Sequence, residues 1–257
     1  MILVADVGNT ETTLGVYEGE TLRAHWRIMT DVPRTADEFG VLLRQLLIDG
    51  GIDPTGVSGA CIASVVPRIT APLTTACKRW LPDKPVYLVD GRSKLPITLD
   101  VEEPLTVGAD RIVNTLAASR LYKRDAIVVD LGTATTYDCI TGDGVFLGGV
   151  IAPGVLMMAE SLTRKTSKLP ATELQLPKQI IGRRTEECIR AGVMYGAAES
   201  IDGLVRRIKA EWPRTKSPIV VATGGLSETF QPLCRELEKV DPFLTLRGLE
   251  MAFRLLS

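Results

Sequence analysis

Apolar and polar positions alternate along this chain in two blocks that repeat one another. The first opens with an apolar run at 2–5 that enters Asp6-Val7-Gly8, followed by apolar runs around Leu14-Gly15-Val16-Tyr17 and an alternating stretch over 21–28. These predict three strands, the second and third joined by a tight turn at Glu18-Gly19-Glu20. A helix is predicted over 36–48. Thr35 is its N-cap, Glu38 completes a capping box, Phe39, Leu42, Leu43, Leu46 and Leu47 form its apolar stripe, and Gly50-Gly51 ends it. A strand at 59–65, a helix at 69–80 and a strand at 86–89 follow. Residues 90–107 are polar and irregular, with Pro96 and Pro104, and lead at Gly108-Ala109-Asp110-Arg111 into a helix reaching Tyr122.

The second block repeats the order. Three strands are predicted between 126 and 150, and Ile151-Ala152-Pro153-Gly154 turns into a helix carrying Met157 and Met158. Lys168-Leu169-Pro170 and Pro177 keep the next segment loop-like. Thr185 is expected to cap a long helix with Glu186 and Glu187 at its positive end and Arg206, Arg207 and Lys209 near its negative end. Its buried face is Ile189, Val193, Ile201, Leu204, Val205 and Ile208, while Gly192 and Gly196 would let another element pack closely, with ordinary tight packing favoured over a dimer seam. A strand at 218–222 enters Thr223-Gly224-Gly225, and a last helix at 246–256 supplies further core.

The repeated phrase carries chemistry. Asp6-Val7-Gly8-Asn9-Thr10 and Asp130-Leu131-Gly132-Thr133-Ala134-Thr135-Thr136 stand about half a chain apart, too far for a solenoid repeat and suited to a duplicated unit. Asp-x-Gly also ends many strands in plain turns. Two copies, each set between strands, favour phosphate binding. Glycine lets backbone N–H groups approach an anion, Thr and Asn add neutral donors, and a strand-end Asp can hold Mg²⁺ directly or through water.

Length bounds this picture to one large domain or two moderate ones, and the repeat favours two, at 1–122 and 123–257. A net charge of −1 without a long basic run gives no sign of nucleic-acid or membrane affinity. No apolar stretch has the length of a membrane span, and no basic leader precedes the first strand, so a soluble, cytoplasmic protein is expected. The cysteines, at 61, 77, 139, 188 and 234, are scattered, with no C-x-x-C, and read as reduced thiols without a zinc site. The single histidine, His25, lies in an alternating strand and no Gly-x-Ser-x-Gly elbow is present. Hydrolase triads are thereby disfavoured, and base chemistry falls to a carboxylate.

Asp110-Arg111 presents a carboxylate and a guanidinium where a loop enters a helix. Such an Asp can merely complement the helix dipole, or it can accept a hydroxyl proton during phosphoryl transfer while Arg orients an anionic substrate. Thr223-Gly224-Gly225 is a close-approach turn suited to lie under a nucleotide base or sugar. Neither a Gly-x-x-x-x-Gly-Lys-Ser/Thr loop nor a Gly-x-Gly-x-x-Gly after the first strand is present. A nucleotide enzyme without either, built from two Asp-x-Gly hairpins in duplicate halves, resembles the actin-like superfamily of sugar kinases, acetate kinases and Hsp70. That resemblance implies an α/β fold of two duplicated actin-like (ribonuclease H-like) domains, each a mixed sheet flanked by helices, with ATP in the cleft between them.

Within that superfamily the chain resembles type III pantothenate kinase over nearly its full length. The motifs are Asp6 to Thr10, Arg34-Thr35-Ala36-Asp37-Glu38, Gly108 to Asn114, Asp130 to Thr136, Gly148-Gly149 with Pro153-Gly154, Gly182-Arg183-Arg184-Thr185 and Thr223-Gly224-Gly225. The resemblance implies ATP-dependent phosphorylation of pantothenate to 4'-phosphopantothenate, the first committed step toward coenzyme A. It makes Asp110 the proton acceptor and places Gly108, Ala109, Arg111 and Thr185 against pantothenate. ATP would meet Asp6, Val7, Gly8, Asn9, Thr10, Glu11, Thr12, Thr13 and Thr133. Asp130 would bind a monovalent cation, K⁺ or NH₄⁺, alongside Mg²⁺-ATP. The resemblance also implies a homodimer.

One stretch departs from the family. Where many relatives carry Lys-Thr-Gly-Leu-Pro and then a tyrosine near the pantoyl group, this chain has Ser93-Lys94-Leu95-Pro96 and Val101. Family drift is favoured over weakened pantothenate affinity or a related acceptor, since one lost apolar contact changes discrimination by only ~1–3 kcal/mol. Two other readings compete with the enzyme: a nucleotide-binding regulator or scaffold derived from the kinase, and a kinase for a different small alcohol or acid. Retention of both Asp110 and Arg111 argues against the first. The altered 93–101 stretch is the sole support for the second.

Overall fold

The computed structural model describes residues 1–257, which divide into two compact units. Met1–Leu121, Gly144–Phe146 and Leu244–Ser257 form the first; Tyr122–Asp143 and Leu147–Phe243 form the second. The C-terminal segment thus departs from the expected halves at 122/123 by belonging to the first unit. No helix is long and apolar enough to cross a membrane.

In the first unit, β1 (Ile2–Val7), β2 (Glu11–Glu18), β3 (Thr21–Met29), β4 (Ala60–Ser64) and β5 (Val86–Val89) form one sheet in the order β3-β2-β1-β4-β5. The hairpins are antiparallel, and β4 and β5 join in parallel. Helix α1 (Ala36–Asp49) has the expected capping box, with the Glu38 N–H donating to the Thr35 hydroxyl at 3.3 Å and the Thr35 N–H donating to Glu38 Oε2 at 2.7 Å. Phe39, Leu43 and Leu47 bury one α1 face with α2 (Pro67–Trp80) against Leu3, Ala5 and Val7 of β1. Alternation sends Val4 to the other face, where α7 (Leu244–Leu256) packs on β1, β2 and β4. Helix α2 starts before the expected residue 69 because Pro67 needs no N–H partner in a first turn.

The 90–107 stretch is not wholly irregular. It holds β6 (Thr98–Leu99), paired in parallel with Val145–Phe146, and a short 3₁₀ turn at Pro104–Thr106 before α3 (Ala109–Tyr122).

In the second unit, β7 (Ala126–Leu131), β8 (Ala134–Ile140), β9 (Val145–Pro153, of which Val145 and Phe146 count with the first unit), β10 (Ile219–Thr223) and β11 (Lys239–Val240) lie in the order β11-β10-β7-β8-β9. Counted within each unit, both sheets therefore run third, second, first, fourth, fifth strand. The duplication is architectural. Helix α4 (Val155–Lys165), the 26-residue α5 (Thr185–Ala210) and the one-turn α6 (Ser227–Phe230) complete the unit. Ile127, Val129 and Leu131 meet Ile189, Val193, Ile201 and Val205 of α5 in its core.

Two expectations about α5 fail. Thr185 is its first helical residue, and Arg184 takes the capping position with extended backbone (φ −122°). The cap is made from inside the helix: Glu187 Oε2 accepts the N–H groups of Arg183 and Arg184 at 2.8 and 3.2 Å. Nor does an element of this chain pack on Gly192 or Gly196, where a Cβ would meet nothing within 4 Å.

A polar staple ties the start of β7. The Asp125 carboxylate accepts from Gly142 N and Trp212 Nε1, both at 2.9 Å, and Arg214 bridges it to Asp143. Trp212 and Gly142 would be left without an acceptor in Asp125→Ala. We expect that variant to lose about 2–3 kcal/mol of stability, read as a lowered denaturation midpoint. An unchanged midpoint would show the staple to be ornamental.

Candidate active site

Both Asp-x-Gly phrases sit where a central strand turns back. In the first, Asp6 faces Thr13 across β2 and Ala63 across β4, and the Gly8 N–H donates to the Glu11 carbonyl at 3.1 Å. Gly8 and Thr13 are half-buried, and Asn9, Thr10 and Glu11 are exposed at the tip. Val7 is core, so only its backbone is open to a ligand. Thr12 is buried with its hydroxyl 2.8 Å from that of Thr30, so its side chain braces the hairpin.

In the second, Asp130 faces Thr136 on β8 and Thr223 on β10, and Gly132 N–H donates to the Ala134 carbonyl at 3.1 Å. The turn is one residue shorter than the first. Two further glycines press on it. A Cβ at Gly154 would stand 2.1 Å from the Thr133 carbonyl oxygen, and one at Gly224 would stand 2.4 Å from Asp130 Oδ1. Asp130, Gly132, Thr133, Gly154 and Gly224 therefore make one crowded backbone cluster. Gly224, expected under a base or sugar, packs on a strand end.

The third feature is the start of α3. Gly108 O accepts the Ile112 N–H at 3.1 Å and opens the helix, Ala109 is buried, and Asp110 Oδ1 accepts the Arg111 N–H at 2.8 Å. A Cβ at Gly108 would stand 2.4 Å from that same Oδ1, so the absent side chain leaves room for the carboxylate. Burial pushes the Asp110 carboxyl above the usual carboxylate range, against the opposing pull of the Arg111 N–H and guanidinium. The Arg111 guanidinium carbon lies 5.0 Å from the centre of the Phe146 ring, a cation–π contact that fixes its direction.

Val65, read from sequence only as a strand end, links the first turn to α3. Its N–H donates to the Val7 carbonyl at 3.1 Å, and its Cγ1 would lie 3.4 Å from a Cβ at Gly108. The first unit thus holds the first turn and Asp110 together. Thr133, Asp130 and the exposed Thr185 belong to the second unit.

Two cysteines of the first unit are poorly placed as nucleophiles. Burial pushes the thiols of Cys61 and Cys77 up to about 12, so both stay protonated near neutrality. His25 lies exposed in β3, opposite Gly15 on β2.

The structure is similar to that of a ROK hexokinase from Thermus thermophilus (TM-score 0.54, 13% identity, covering 100% of this chain and 99% of that one). It is also similar to an activator of 2-hydroxyisocaproyl-CoA dehydratase from Clostridium difficile (TM-score 0.56, 13% identity, covering 99% and 95%). At these identities the likeness shows the fold alone, a mixed α/β architecture shared over nearly the full length of each chain. Sequence relatives say more. A type III pantothenate kinase of Anaeromyxobacter dehalogenans is 45% identical over 252 residues, 98% of each chain, and one of Halalkalibacterium halodurans is 42% identical over 254 residues, 99% of each. The family model for type III pantothenate kinase matches residues 2–207. With both Asp-x-Gly turns and the Asp110 helix inside that match, the chain belongs to the type III pantothenate kinase family.

Proposed function

We propose that this enzyme transfers the γ-phosphoryl group of ATP to the hydroxyl of pantothenate that becomes the 4'-phosphate, with Asp110 as general base. The observation that carries the assignment of Asp110 is its carboxylate at the start of α3, made more basic by burial and given room by Gly108. Asp110 takes the proton of the acceptor hydroxyl as that oxygen bonds to phosphorus and the bond to the ADP oxygen breaks. Arg111, held over Phe146, orients the anionic acceptor together with Ala109 backbone and Thr185. The glycine-lined turns at 6–13 and 130–133 offer backbone N–H groups and hydroxyls to the phosphates. Phosphoryl transfer depends mainly on such positioning and charge stabilisation.

The donor chemistry fits the ions. Asp6 and Asp130 are hard oxygen ligands at strand ends, and no cluster of three or more His, Cys, Asp or Glu forms a closed protein cage. Mg²⁺ commonly takes one or two carboxylates plus phosphate and water, and Asp130 is assigned to the monovalent cation, K⁺ or NH₄⁺. When bound, these ions would neutralise phosphate charge. The reading includes a homodimer in the cytoplasm. Gly192, Gly196 and Gly203 of α5 face open space, and Leu156, Met157, Ile180 and Ile181 are exposed, which supplies a surface for a second copy.

The test is ADP release from Mg-ATP with and without pantothenate, in potassium, ammonium and sodium buffers. Pantothenate-dependent release that falls in sodium is the expected result. ATP binding without pantothenate stimulation would turn attention to Val101, half-buried beside the Pro104–Thr106 turn, and to a different acceptor.

A further inference from the structure

Helix α7 carries none of the motifs, yet it touches the catalytic helix at two points. The Thr245 hydroxyl donates to Asn114 Oδ1 at 3.0 Å. Three residues on, Gly248 lies so close to α3 that a Cβ would stand 2.2 Å from the Val113 carbonyl oxygen and 2.7 Å from its carbon. Both contacts are buried, with Thr245 7% and Asn114 1% exposed, and Asn114 Nδ2 has no hydrogen-bond partner in the protein. Thr245 is therefore the one bond that orients the Asn114 amide. Asn114 sits one helical turn beyond Asp110, on the same face of α3.

The other contacts of α7 anchor it to the sheet. Leu246 Cδ1 would lie 3.0 Å from a Cβ at Gly15 on β2, and the Phe253 ring would lie 2.5 Å from one at Gly59 ahead of β4. Phe253 also meets Tyr87 of β5 edge-on, with ring centres 5.6 Å apart. Several apolar contacts hold α7 on the sheet side, while on the other side the Thr245 bond and the Gly248 contact set the height and rotation of α3. A plain core helix needs neither a hydroxyl nor a glycine on that second side.

We propose that Thr245, Gly248 and Asn114 are positioning residues that seat α3 and thereby aim Asp110 and Arg111. The inference rests on the reading of Asp110 as general base. A helix is stiff enough to pass a rotation at Asn114 to Asp110, and small misplacements of a reacting group lower turnover steeply.

The test compares Thr245→Val, Thr245→Ser, Gly248→Ala, Phe253→Leu and Asp110→Asn for kcat, for KM of ATP and pantothenate, and for melting temperature. Thr245→Val keeps the shape and removes the hydroxyl; it should lower kcat by about 5–20-fold with both KM values within about twofold. Thr245→Ser should restore kcat. Gly248→Ala, if it folds, should lose about 10²-fold in kcat. Phe253→Leu loosens α7 on the sheet side and should lower the melting temperature while leaving kcat within about twofold, since it leaves both α3 contacts in place. Wild-type kcat in Thr245→Val overturns the proposal. So does a Phe253→Leu variant that reproduces the kcat loss at equal loss of melting temperature. If Asp110→Asn retains turnover, the reading beneath the proposal falls with it; if Asp110→Asn is inactive and Thr245→Val is normal, only the positioning role falls.

Discussion

Asp110→Asn is expected to lower kcat by about 10²–10⁴-fold, the usual contribution of a general base, while leaving the protein folded and able to bind ATP. Asn nearly matches Asp in size, and its side-chain oxygen can still accept the Arg111 N–H now held at 2.8 Å, so the start of α3 should survive. What it loses is a site for the hydroxyl proton. The sign of the stability change separates this from general damage. The folded state raises the Asp110 pKa, so it binds a proton more tightly than the unfolded chain does. Stability therefore falls as pH rises from the unfolded value through the folded one, and above that window ionised Asp110 carries the full cost. Removing the charge should leave the melting temperature at pH 7 unchanged or raise it. Activity of the unaltered enzyme should show an acid limb above the pKa of an ordinary aspartate. Near-wild-type turnover in Asp110→Asn would transfer the base role elsewhere. A kcat loss accompanied by a lower melting temperature would point to misfolding.

Much of the fold was legible because its signals are local. The capping box at Thr35 and Glu38, the stripe at Phe39, Leu43 and Leu47, and the strand over 86–89 are set by neighbours a few residues away. The two Asp-x-Gly turns declare themselves for the same reason. What escaped was set by distance in the chain. The apolar face of α7 showed that it is buried, but nothing in that pattern could assign it to the first unit or pair Thr245 with Asn114, 131 residues away. Thr12 fell within the phosphate phrase, yet Thr30 at the end of β3 claims its hydroxyl. At α5 the signal was present and misassigned: Thr185 is a good capping residue by type, but the Glu187 carboxylate reaches back to the preceding N–H groups and moves the cap to Arg184. Gly192 and Gly196 show the reverse error, since small residues permit close packing without supplying a neighbour.

Gly224→Ala is expected to damage ATP binding and stability together, because two separate restraints meet at that position. Its φ of +86° lies where a side chain is strained, at a cost of about 1–2 kcal/mol. A Cβ would also stand 2.8 Å from the backbone nitrogen and carbon of Leu131 and 2.4 Å from Asp130 Oδ1. The carboxylate can rotate away, but the strand-end backbone cannot move without β7, whose register with β10 and β8 is fixed on both sides. Overpacking of this kind adds about 1–3 kcal/mol, for a total near 3 kcal/mol. Gly51 isolates the two effects. It has a φ of +71°, and a Cβ there would meet nothing within 4 Å, so Gly51→Ala reports backbone strain alone. We expect Gly51→Ala to lose about 1 kcal/mol with normal kinetics, and Gly224→Ala to lose more and to raise KM for ATP about tenfold or beyond. The second part follows because the displaced groups, Asp130 and Leu131, lead directly into the turn assigned to phosphate. Equal stability losses in the two variants, with ATP KM unchanged, would mean that the 130–133 turn tolerates displacement and does not hold the nucleotide.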